Sequence, residues 1–221
     1  RSVAPMLDIE LLDATTFQAA NGDKIFVGGF RDGKVSLEGF FDSDATTNQI
    51  DDIFNGILGS TTKQVVTISP EGALTLGNRC FLVDADTTKY AVQSPATGLI
   101  QANAEVQSSS GLGYGVILQP TAALTATGNG TSVDNAAATT NGGAGHLHIT
   151  AKSGTTPLIT GKIQHSTDGS TWVDLIAFTA ASVIGAERIE VTGTINRYTR
   201  FIRTISGTGP SFEVTVGFTR F

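Results

Sequence analysis

Three histidines are the side chains of this sequence best suited to chemistry. His146 and His148 stand two apart and therefore on one face of an extended segment, and His165 falls in a segment that can lie beside it. Three imidazoles so placed are the donor set of a zinc site. No acidic or cysteine ligand stands close in sequence, however, and polar strand faces carry such residues without metal, so no metal is expected. A Ser-His-Asp hydrolase would need a positioned nucleophile, but no G-x-S-x-G elbow is present and all histidines fall in the second half. Asp51 and Asp52 read as acids in the first turn of a helix, and Asp84 and Asp86 as a solvated loop before a Thr-Thr turn. Gly28-Gly29 is an isolated pair without a dinucleotide or phosphate-loop fingerprint. Arg188, Arg197, Arg200 and Arg203 make a basic cluster, open to a neighbouring subunit's acids or to a ligand, but strand parity keeps Arg200 off the face of Arg197 and Arg203. No enzyme site and no cofactor are expected.

The elements that must position these groups are strands. Charged residues make up 15% of the 221 and Gly numbers 26, a balance that favours short strands and turns over a helical bundle. Cys80, the single cysteine, excludes an intrachain disulfide and lies in an apolar run, where an inert buried thiol is expected. No apolar run reaches the length of a membrane span, and no signal peptide is visible. Without disulfides, folding in a host cytoplasm is expected. The chain begins at Arg1 rather than Met, which leaves open whether N-terminal sequence precedes it.

Net charge is −6 and unevenly spread. Residues 1–120 hold 14 acids against 7 bases, whereas residues 121–221 hold 6 against 7. An acidic first half repels phosphate and speaks against a sequence-reading DNA binder.

Taken in order, residues 1–12 read as an extended strand, followed by an Asn-Gly turn within residues 20–23. Residues 26–42 read as a hairpin about Asp32-Gly33, with Val35, Leu37 and Gly39 on one face and Ser36, Glu38 and Phe40 on the other. Ile50, Ile53, Phe54, Ile57 and Leu58 keep helical spacing, with cap oxygens at Thr46, Thr47 and Asn48 and a stop at Gly59. Residues 99–108 alternate again: Ile100, Ala102, Ala104 and Val106 oppose Gln101, Asn103, Glu105 and Gln107. Residues 121–145 turn to Thr, Ala, Asn and Gly and are expected as a linker or edge segment between a domain at 1–120 and another at 146–221. The latter shows five or more short strands, with a hairpin at Asp168-Gly169 and Trp172 placed to cap a core. The class is all-β with one short helix.

Three phrases carry a resemblance: RSVAPMLDIELLDAT at 1–15, FRDGKVSLEGFFD at 30–42 and LTLGNRCFLVDADTTKY at 74–90. Together, over about residues 1–118, they are similar to major tail tube proteins of long-tailed (siphovirus-type) bacteriophages. The resemblance implies a β-sandwich or barrel flanked by one helix, in a virion protein without an active site. It also implies homo-hexameric rings stacked into the tube through which DNA is ejected, contacting tape measure and tail terminator or tip proteins, with no membrane. On that reading Glu38, Glu105, Gln101 and Asn103 are expected to face the lumen. The second half resembles the immunoglobulin-like β-sandwich modules appended to phage structural proteins. KIQHSTDGSTWVDL at 162–175 is similar to hairpins of immunoglobulin-like and sugar-binding sandwiches, which makes Trp172 either core filler or a glycan contact. The rival readings are a capsid decoration protein and a carbohydrate-binding adhesin module of the virion.

Overall fold

Apolar alternation in the sequence becomes alternating burial in the fold. A computed structural model describes residues 2–13, 26–41, 50–72 and 74–221, and these are all-β with one helix. Its elements are β1 (Ser2–Asp13), β2 (Phe26–Phe40), α1 (Ile50–Ile57), β3 (Gln64–Ile68), β4 (Arg79–Gln93), β5 (Gln101–Leu124), β6 (Gly128–Asn129), β7 (Val133–Asp134), β8 (Gly143–Ser166), β9 (Val173–Ala177), β10 (Gly185–Val191) and β11 (Tyr198–Arg220). The contacts divide it into unit 1, Arg1–Gln64 with Val83–Leu112, and unit 2, Val65–Leu82 with Gly113–Phe221. β4 and β5 contribute residues to both. The segment 121–145 holds the end of β5 together with β6 and β7, and both short strands pair with β11.

In unit 1 the strand order is β1-β2-β5, antiparallel throughout. The expected Asp32-Gly33 hairpin is absent. β2 runs straight through it, with Asp32 opposite Asp8 and Gly33 opposite Leu7 of β1. Gly33 is required there for close approach instead of turning: a Cβ would lie 3.0 Å from the Leu112 backbone nitrogen. Asp32 is held by Gln107 Nε2, which donates to both carboxylate oxygens at 3.2 and 3.1 Å. Helix α1 forms where its spacing predicts, and Gly59 ends it at φ +77°. Phe54 stacks on Tyr90 at 5.8 Å, and Tyr90 Oη donates to Asp51 Oδ1 at 2.7 Å. Burial, then the Asp51 bond and charge, push the Tyr90 pKa up to about 12. The cap at 46–48 and the turn at 20–23 lie outside the described residues. Asp84 and Asp86 stand within β4, not in a loop, and Asp86 pairs with Lys63.

In unit 2 the short strands expected from turn residues are halves of long ones. β8 and β11, of 24 and 23 residues, pair along nearly their whole length. Midway, the ladder shifts register near Ser206, Thr208 and Ser211, where Gly154, Thr156, Gly207 and Gly209 take positive φ. The ladder bends back on itself there. Gly145 and Ile163 would stand about 60 Å apart on a straight strand, yet a Cβ on Gly145 would meet Ile163 Cδ1 at 2.7 Å. One half joins the order β5-β11-β8-β10, and the other is flanked by β9 and by β6 and β7. Between the halves lies a core of Leu147, Ile149, Ile159, Ile163, Ile176, Phe178, Phe201, Phe212, Val214, Val216 and Phe218, among others. A smaller cluster of Cys80, Leu82 and Ile117 packs separately. The Cys80 thiol is fully buried, and burial lifts its pKa to about 12. Asp168-Gly169 does turn the chain, with Asp168 Oδ1 accepting from the backbone of Ser170 and Thr171 at 2.8 and 2.7 Å.

Candidate functional site

The β2–β5 ladder sorts its residues by face. Val35 pairs with Val106, Leu37 with Ala104 and Gly39 with Ala102, and of these Val35, Ala102, Ala104 and Val106 are buried. On the opposite face Ser36 pairs with Glu105, Glu38 with Asn103 and Phe40 with Gln101. Gln101, Asn103, Glu105 and Glu38 therefore stand together, brought there by antiparallel register. Glu105 is offset by Lys89, whose Nζ lies 3.1 Å from Oε1. Among the described residues Glu38 has no ion-pair partner.

Beside this ladder β1 is an edge strand, paired to β2 and to nothing else among the described residues. Its Val3, Met6 and Leu7 are 50, 54 and 52% exposed. Pro5, which has no amide hydrogen for a ladder, suits such an edge.

The three histidines do not converge. His146 and His148 share a face of β8, their rings 6.1 Å apart, and Thr67 of β3 stands between them. Arg188 Nη1 donates to His146 Nε2 at 2.8 Å, which puts the His146 proton on Nδ1, 3.2 Å from Thr67 Oγ1. The threonine hydroxyl is then free to donate to His148 Nε2 at 2.9 Å. Burial, followed by the charge of Arg188, lowers the His146 pKa to about 2, and burial lowers that of His148 to about 4. His165 instead accepts from the Asn196 backbone at 3.1 Å. Among the described residues, no three His, Cys, Asp or Glu side chains gather about a common point that could hold a metal.

The basic cluster is dispersed. Arg188 serves His146 and Glu190, Arg197 forks onto Asp134 at 2.7 and 2.6 Å, and Arg203 donates to the Ala126 carbonyl. Arg200 holds Gln164 Oε1 and lies 4.1 Å over the Trp172 ring. Trp172 is half-buried and outside the core it was expected to fill. Sequence reasoning missed Arg79 and Arg220, which line one pocket with Tyr114. No local signal marks that pair, because they lie far apart in the sequence.

No protein-family model and no curated protein matches the chain. Among solved structures, a chain of a native gene transfer agent virion is 16% identical, covering 52% of this chain and 82% of that one at TM-score 0.41. A chain from the tail of an empty gene transfer agent particle, solved with C6 symmetry, is 17% identical over 52% and 80%, at TM-score 0.41. The SPP1 Dit protein, described as a paradigm of hub adsorption apparatus in phages infecting Gram-positive hosts, is 14% identical over 100% and 91%, at TM-score 0.40. At such scores the functional reading rests on the chain's own residues.

Proposed function

We propose that the chain is a structural virion protein, a subunit of hexameric rings that stack into a phage tail tube for DNA ejection. The observation that carries this reading is β1: a 12-residue edge strand with exposed apolar side chains, which is a template for pairing with another copy. Pairing along that edge extends the sheet from subunit to subunit, as a ring requires. The resemblance over residues 1–118 supports the same reading. Glu38, Gln101, Asn103 and Glu105 then face the lumen, where an acidic and neutral lining keeps DNA phosphate from adhering. In this scheme the tube domain lies within residues 1–120 and residues 146–221 are the decorating domain, with 121–145 as an edge segment whose strands β6 and β7 pair with β11. The partners are further copies, the tape measure protein and the tail terminator or tip proteins.

Negative-stain microscopy of purified protein tests the reading. Rings or tubes with a hollow centre are expected, and a persistent monomer would sink it. The adhesin alternative draws on Trp172 standing outside the core, although Arg200 already covers one face of its ring. A monomer that binds glycans through Trp172 would favour that alternative.

A further inference from the structure

Unit 2 carries a polar pocket of about 190 Å³ lined by Arg79, Tyr114, Asn135, Thr139 and Arg220, among others. The Arg79 guanidinium lies over the Tyr114 ring, 5.0 Å from its centroid, and Phe81 lies 5.3 Å from the same ring. That ring steers Arg79 through its π face and uses none of the guanidinium hydrogen-bond donors. Arg220 is pinned by two backbone carbonyls: Nη1 donates to Ala137 at 2.6 Å and Nη2 to Asn135 at 3.2 Å. A guanidinium has five N–H groups, so Arg220 keeps donors to spare. Among the described residues neither arginine has a carboxylate partner. Burial and then the positive charge of Arg79 both push the Arg220 pKa down. The Thr139 hydroxyl oxygen is buried with no hydrogen-bond partner among the described residues, an orphan that calls for explanation.

Two like charges held side by side without an acid, in a protein of net charge −6, repel until an anion enters. We propose that this pocket is an oxyanion site that takes a single carboxylate or phosphate group between Arg79 and Arg220. Forked guanidinium donors match both groups in geometry. The volume lies below the roughly 300 Å³ at which pockets begin to enclose larger ligands, which fits one small group. The group comes either from a free anion or from an acidic side chain of a second copy. The inference does not depend on tube assembly.

The test uses inorganic phosphate and acetate at constant ionic strength, balanced with chloride. Phosphate about tenfold above its Kd is expected to raise Tm by about 3–6 °C. Arg79→Gln should abolish that rise; Arg79 is exposed and supports no backbone carbonyl, so this variant keeps its fold. Arg220→Gln is the second variant, read by the same shift. Sedimentation velocity separates the sources. If the occupant is a second copy's carboxylate, wild type sediments as an oligomer that Arg79→Gln or added phosphate dissociates. If it is a free anion, sedimentation is the same in wild type and variant. No Tm rise with either anion in a wild type whose sedimentation phosphate leaves unchanged, or an undiminished rise in both variants, overturns the proposal.

Discussion

Thr67 is one hydroxyl serving two imidazoles, and both lose a partner if it goes. Thr67→Val keeps the shape but leaves His148 Nε2 without its donor, while His146 keeps its bonds to the Val66 backbone and Arg188, at a cost of about 1–3 kcal/mol. A fall in the urea midpoint checks this, and an unchanged midpoint would dismiss the network. The same histidines set a pH dependence. Folding holds His148 near 4 and His146 near 2, both below the ordinary 6.5. The unfolded chain therefore binds protons that the folded chain refuses. This contribution is complete above pH 6.5 and is lost as pH falls from there, toward 4 for His148 and on toward 2 for His146. The depressed carboxylates Asp134, Asp168 and Asp174 lose theirs only below about their ordinary 3.8, outside the range from pH 7.5 to 5. Urea midpoints should thus drop between pH 7.5 and 5, and His148→Gln should flatten the slope. Cys80 gives a third outcome: its thiol should resist alkylation in the native protein and react at once in denaturant.

At the scale of elements, the bend in the β8–β11 ladder depends on glycine. At Gly154, φ is +106° and a Cβ would lie 2.6 Å from the Gly209 carbonyl oxygen. Gly193 also has a positive φ of +89°, but nothing within 4 Å of its Cβ position. Gly154→Ala should therefore lower Tm more than Gly193→Ala, which meets only the dihedral strain of about 1–3 kcal/mol. Equal losses would mean that close packing at the bend is unimportant. The residues around this bend read as strand ends in the sequence, because Ser-Gly-Thr-Thr-Pro is also turn chemistry. A bend and a turn use the same residues. Asp32-Gly33 misleads in the opposite way: a dipeptide suited to a hairpin is carried straight by the pairing of β1 along β2.

At the scale of the molecule, the proposed function joins the exposed edge to the charge of the first half. Leu7→Lys puts a charge on the β1 edge and should prevent assembly while leaving circular dichroism and Tm of the subunit unchanged. Rings that persist would show that copies do not join there. On the proposed function, Glu38→Lys combined with Glu105→Lys should slow DNA ejection without impairing tube assembly, because attraction would replace repulsion along the proposed channel. Unchanged ejection kinetics would remove lumen charge from the account.

What the sequence by itself determined is whatever rests on local period: strand character, helix α1 with its Gly59 stop, the Asp168-Gly169 turn, and the faces on which Glu38 and Asn103 fall. These follow from side-chain spacing along a single element. The tertiary structure alone decided which elements lie alongside which. It ran β2 through its Asp-Gly pair, joined short strands into the long ladder of β8 and β11, and drew Trp172 out of the core onto Arg200. It also brought Arg79 to Arg220 and set Thr67 between two histidines. Each of these pairings is a contact between residues distant in sequence. Such contacts are selected by the burial and hydrogen bonding of the whole sheet, and no short stretch carries that information.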